Sequence, residues 1–139
     1  MERRIPADRR IENKFKKLFT NVLSRRIIIL ESEEIQMRRY YIFQLPHNNR
    51  NIFRHFDEDK DIDLGDYVPV WTDVCDEGQD ESDVEICEKL FEKFNIAHPQ
   101  NFAGHSMSVS DIVMFRDGNV NTFYYCDSIG FKKINKINE

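Results

Sequence analysis

The chain has 139 residues, of which 40% are hydrophobic and 12% aromatic, with a formal charge of −5. That length predicts one domain with one compact core, and the apolar and aromatic content excludes a wholly disordered chain. The negative balance excludes a uniformly basic nucleic-acid binder, and no apolar run approaches the roughly 18 residues of a membrane span.

The N-terminal residues are basic but lack an apolar h-region, so no signal peptide is expected. Residues 1–27 hold nine basic side chains, Arg3, Arg4, Arg9, Arg10, Lys14, Lys16, Lys17, Arg25 and Arg26, against three acids, a balance of +6. Ile11, Phe15, Leu18, Phe19 and Val22 recur at helical spacing and Asp8 suits an N-cap, which predicts an amphipathic basic helix over 8–24. Residues 27–36 join an aliphatic run to Glu31, Glu33 and Glu34 and fit either a strand or a helix extension.

Residues 38–45 read as a strand, rich in aromatic and β-branched side chains and stopped by Pro46. A polar turn follows, then a short helical turn over 51–56 and an acidic, turn-rich stretch over 57–65. Residues 67–74 read as a second strand, which Pro69 assigns to an edge or a bulge because proline has no N–H for the ladder. An acidic loop covers 76–83.

Residues 82–95 form the clearest helix. Ser82 and Glu85 make a capping box, in which the serine oxygen and the carboxylate satisfy otherwise orphaned N–H groups. Val84, Cys87, Leu90, Phe91 and Phe94 form its apolar stripe, and Glu81, Glu85, Glu88 and Glu92 its acidic outer face. Glu85 and Lys89 stand at favourable i,i+4 spacing. Residues 109–115 hold the run Ile112 to Phe115, which predicts a central strand. Asp117-Gly118 signals a hairpin with a type I′ turn, returning over 120–126. On that return strand Val120, Thr122, Tyr124 and Cys126 share one face, with Phe123 and Tyr125 on the other. Ser128 to Gly130 turn, Phe131 returns to the core, and the tail from 132 is expected to fray.

The predicted architecture is α+β. It has a small antiparallel sheet of about four strands, one packed acidic helix and an added N-terminal amphipathic basic helix. The −5 average hides two parts, the +6 arm and a −11 remainder. Residues 57–92 carry fifteen acids against Lys60 and Lys89, a balance of −13. Such asymmetry points to charged interaction surfaces or to solvated faces. The acidic candidates for partner binding are Asp76, Glu77, Asp80, Glu81, Asp83, Glu85, Glu88 and Glu92. The basic ones are Arg3, Arg4, Arg9, Arg10, Lys14, Lys17, Arg25 and Arg26.

From Arg38 onward the sequence resembles the YodL-like domain family. The resemblance rests on Tyr41-Ile42-Phe43-Gln44-Leu45, Asp66-Tyr67, Phe94-Asn95-Ile96-Ala97-His98-Pro99, the stretch Gly104 through Val113, and Tyr124 through Phe131. It divides the chain into a basic helical extension over 1–37, the domain over 38–134 and a tail over 135–139. It implies a small domain of bacteria, phages and integrative elements that accompanies proteins handling DNA or resisting host defences. It carries no catalytic residues over to this chain.

Read as an enzyme, the stretch 104–111 would use Ser106 as nucleophile and His105 as base, with Asp111 or Asp127 orienting it. Adjacent His and Ser do not by themselves make that pair, and no G-x-S-x-G elbow is present. Read structurally, Gly104, His105, Ser106, Ser108, Ser110 and Asp111, with Asp127 and Gly130, shape buried loops, their oxygens satisfying backbone N–H groups. Asp57, Asp59, Asp61 and Asp63 have the spacing of a calcium loop, but position six is Ile62 and position twelve Val68, so the EF-hand pattern fails. Cys75, Cys87 and Cys126 form no Cys-x-x-Cys pair, which fits a reducing cytoplasm. No metal, cofactor or membrane partner is expected. The expected function is a non-enzymatic inhibitor or adaptor from a phage or mobile element. Its partner would be a bacterial host protein such as a nucleic-acid-targeting defence nuclease, contacted through charged surfaces. Nucleic-acid binding through the basic N-terminal helix is the alternative, followed by an enzyme centred on His105 and Asp111.

Overall fold

A computed structural model describes residues 37–75 and 81–139. The predicted N-terminal helix, the 27–36 segment and all eight basic candidates lie outside these residues, as do Asp76, Glu77 and Asp80.

Five antiparallel strands make the main sheet: β1 (Arg39–Gln44), β3 (Val68–Val74), β4 (Ile112–Asp117), β5 (Val120–Cys126) and β6 (Phe131–Lys133), in the order β3-β1-β4-β5-β6. The helix α1 (Asp83–Ile96) links β3 to β4. A second, two-stranded sheet pairs β2 (Ile62–Asp63) in parallel with β7 (Ile137–Asn138). The α+β class is therefore correct. The strand count rises from four to five because Phe131, placed in the core by sequence, arrives there as part of β6 opposite Cys126. The tail does not fray at once: β6 and β7 hold it, and Ile134 between them is 6% exposed.

Both faces of the sheet are covered, which explains why its inner strands read as continuous apolar runs. Tyr40, Ile42, Val113, Phe115, Tyr124 and Cys126 face α1 and pack on Ile86, Cys87, Leu90 and Phe94. Tyr41, Phe43, Ile112, Met114, Phe123 and Tyr125 face the other way, under Leu45, Leu64, Tyr67 and Ile134, with Ile52, Phe56, Ile62 and Ile137 at the margin. The predicted division of β5 into two faces is the observed one, and β4 is central.

Pro69 lies on an edge strand and beside a bulge. The register steps from Ile42 opposite Trp71 to Phe43 opposite Pro69, which leaves Val70 as the extra residue. The β4–β5 hairpin corrects the turn type. Asp117 pairs with Val120, so the loop is Gly118-Asn119, and only Gly118 takes a positive φ, +58°. Positive φ at the first loop residue alone is the type II′ pattern. The helix stripe shifts too: Ile86 is 2% exposed and Phe91 37%. Among the described residues no helix is long and apolar enough to cross a membrane.

Candidate functional site

Ser82 caps α1. Its Oγ accepts from the Glu85 N–H at 3.2 Å and donates to Glu85 Oε1 at 3.1 Å. The fold takes up two of the acidic candidates nearby. Asp83 Oδ1 receives Arg38 Nη2 at 2.6 Å, and Asp83 Oδ2 receives the Tyr124 hydroxyl at 2.8 Å. Arg38 also places its Nε 2.9 Å from Asp117 Oδ2, an ion-pair distance without hydrogen-bond alignment, and stacks 4.3 Å above the Phe115 ring. Glu81 accepts from Lys89, the lysine that spacing alone gave to Glu85. Glu85, Glu88 and Glu92 remain exposed on the outer face of α1, and among the described residues none of the three forms an ion pair.

The run of acids is continuous in sequence and divided in space. Leu64 and Tyr67 pack on one face of the sheet, with Phe56 and Ile62 at its margin, and carry the segment from Asp57 to Asp66 there. The carboxylates of α1 stand over the opposite face.

The stretch 104–111 is organised by Gln44, the last residue of β1 and 2% exposed. Its Oε1 accepts from the His105 N–H at 3.0 Å and its Nε2 donates to the His105 carbonyl at 2.8 Å, so the side-chain amide pairs with the backbone as a neighbouring strand would. The same Nε2 lies 3.0 Å from Asp111 Oδ2, which also receives the Ser108 N–H at 3.0 Å. Gly104 allows this approach: a Cβ there would come within 2.2 Å of Gln44 Oε1. Asp111 is fully buried, and burial pushes its carboxyl up to about 7 although the Ser108 and Gln44 hydrogen bonds pull the other way. Its Oδ1, Ser108 Oγ and His105 Nε2 are buried without a hydrogen-bond partner among the described residues.

His105 Nδ1 sits 2.7 Å from the Ser106 carbonyl, an acceptor that places the ring proton on Nδ1. The imidazole therefore addresses backbone, and Asp111 addresses Gln44 and Ser108. Ser110 takes φ +85° and its Oγ receives the Phe53 N–H at 3.0 Å, while its carbonyl accepts from the Tyr67 hydroxyl at 2.9 Å. Asp127 accepts from the N–H groups of Phe56 and Ser128 and lies 3.4 Å from His55. Partial burial opposes its charge, and these donors still hold it below the usual carboxylate range. Gly130 closes that turn at φ +72°, with its carbonyl accepting from Asp127 N–H.

A family model for the YodL-like domain matches residues 39–136. The chain belongs to the YodL-like domain family. Comparison with curated proteins and with solved structures returns no match. The matched region of this YodL-like domain starts with β1 and ends at Lys136, so it takes in the whole five-stranded sheet, α1 and β2 and stops just before β7.

The residues to which the sequence assigns no contact are the ones that join elements: Gln44, Arg38, Tyr67, Tyr124 and Phe53. Gln44 carries a signal in retrospect, as a lone amide inside the apolar run Tyr40 to Leu45. Arg38 and Tyr124 carry none, because their partner Asp83 is 45 and 41 residues away.

Proposed function

We propose that this YodL-like protein is a non-enzymatic inhibitor or adaptor of a phage or mobile element, acting in the bacterial cytoplasm. Its partner is a bacterial host protein, and a nucleic-acid-targeting defence nuclease of the CRISPR or restriction type fits the chemistry. The observation that carries this reading is the row Glu85, Glu88 and Glu92. These three carboxylates are exposed on a capped helix whose opposite face is anchored by buried Cys87, Leu90 and Phe94.

At 1.5 Å rise per residue the row sets one negative charge about every 5 Å along the axis, close enough to a nucleic-acid strand to occupy a cationic groove. The repulsion between Glu88 and Glu92 costs a few tenths of a kcal/mol in the unbound protein, and a cationic partner relieves it. Asp83 and Glu81 serve the fold instead, so the contact surface is narrower than the acidic sequence.

The test is affinity capture from bacterial lysate with mass spectrometry, then inhibition assays on any nuclease found. The variant Glu85→Gln/Glu88→Gln/Glu92→Gln is expected to keep its thermal stability within about 1 kcal/mol and to lose at least tenfold in affinity. Unchanged inhibition by that variant would remove the acidic face as the contact.

A further inference from the structure

The geometry points to a second surface, on the loop that follows β1, built to take a short stretch of single-stranded nucleic acid. From Pro46 to Phe56 the sequence contains no acid and carries Arg50, Arg54, His47 and His55, a basic island in an acidic body. Phe53 stands at its centre and is 53% exposed. The His105 ring lies 6.5 Å from it and 5.1 Å from His47, so three rings cluster at one end of the sheet. Arg50 and Arg54 are exposed, and among the described residues neither pairs with a carboxylate.

A surface aromatic could be incidental, but this one is held outward at a cost. Phe53 has φ +65°, a conformation that costs a side-chain-bearing residue free energy. Its N–H is fixed by Ser110 Oγ, and Ser110 is itself at positive φ. Four further hydrogen bonds hold the loop: Asn49 N–H donates to the Pro46 carbonyl, Ile52 N–H to the Asn49 carbonyl, the Tyr125 hydroxyl to the Arg54 carbonyl, and Phe56 N–H to Asp127 Oδ1. Ile52 faces the core while Phe53 faces solvent. The loop is therefore preorganised, and binding orders little that is not already fixed.

A rigid aromatic beside two guanidiniums that meet no carboxylate among the described residues matches the pattern by which proteins hold single strands, with a base stacked on the ring and phosphates on the cations. An acidic peptide would use the cations alone and leave Phe53 idle. Asp57, Glu58 and Asp59 follow directly and repel phosphate, which limits the footprint to about two or three nucleotides.

The test is fluorescence anisotropy of a labelled oligothymidylate with the full chain at low salt, beside a polyglutamate peptide as acidic probe. The arm is silenced in a parallel series carrying Arg9→Gln, Arg10→Gln, Lys14→Gln and Lys17→Gln. In that series Phe53→Ala is expected to weaken oligonucleotide binding about tenfold or more, while Phe53→Tyr retains it. Arg50→Gln/Arg54→Gln is expected to reduce the slope of log K against log salt by about 1.4. Phe53→Gly supplies the folding control: it relieves the positive φ, keeps the fold and abolishes stacking. The inference is overturned if the arm-silenced chain shows no binding at low salt, if Phe53→Ala binds as well as its parent, or if polyglutamate binds as tightly as the oligonucleotide. None of these outcomes touches the acidic face of α1, so the two surfaces stand or fall separately.

Discussion

At the scale of single residues, Asp111 and Gly104 show how one buried position depends on another. Asp111 has an ordinary carboxyl value of 3.8 when exposed and about 7 in the fold. A raised folded value means that the neutral acid is the form the fold prefers. Its contribution is complete below about pH 4 and is lost as pH rises toward 7. Asp111→Asn is expected to gain on the parent as pH rises, by about 2–4 kcal/mol above neutrality. Urea denaturation at acidic, neutral and mildly alkaline pH measures this, and parallel profiles for the two proteins would show that the fold does not raise this carboxyl. Gly104→Ala drives a methyl into Gln44 Oε1 and close to the Phe102 ring, with an expected cost of about 1–3 kcal/mol. Because the clash is with Gln44, combining Gly104→Ala with Gln44→Ala should cost less than the sum of the two. The oxygens of Ser110 and Asp111 do satisfy backbone N–H groups, as their residue types suggested. Ser108 Oγ does not, since it is buried without a partner among the described residues. Residue type says that an oxygen can accept, and only position says whether a donor arrives.

At the scale of elements, α1 is read well from sequence at its start and less well along its length. Ser82 and Glu85 define the cap through contacts three residues apart, and local contacts are legible because the helix itself fixes their geometry. The buried stripe depends on which way the helix is turned on the sheet. That rotation exchanges Phe91 for Ile86. Truncation should report the difference: Phe94→Ala is expected to cost about 3–5 kcal/mol, and Phe91→Ala about 1 kcal/mol or less, both by denaturant melts. The first turn of α1 is also held from outside. Arg38 and Tyr124 both reach Asp83, and each is half-exposed or more buried, so the pair is worth more than an open surface bridge. A double-mutant cycle with Arg38→Ala and Asp83→Ala is expected to give a coupling of about 1–2 kcal/mol. A coupling near zero would assign the role of Arg38 to its stacking on Phe115 instead.

At the scale of the whole molecule, the C-terminal residues close the second core. Ile134 is buried and Ile137 partly so, against the same face as Leu64 and Tyr67, and β7 pairs with β2. Ending the chain after Lys133 should therefore lower stability by about 2–4 kcal/mol and loosen residues 45–67, seen as faster amide exchange there. Composition and pattern alone settled the α+β class, the central position of β4, the edge or bulge at Pro69 and the cap of α1. Each of these is decided by neighbours in sequence or by the pattern of burial along one element. The fifth strand, the Gln44 bridge, the Arg38–Asp83–Tyr124 knot and the partition of the acids were decided only by the tertiary structure. They depend on which distant segments meet, and one acidic run in the chain becomes two surfaces because the sheet passes between its halves.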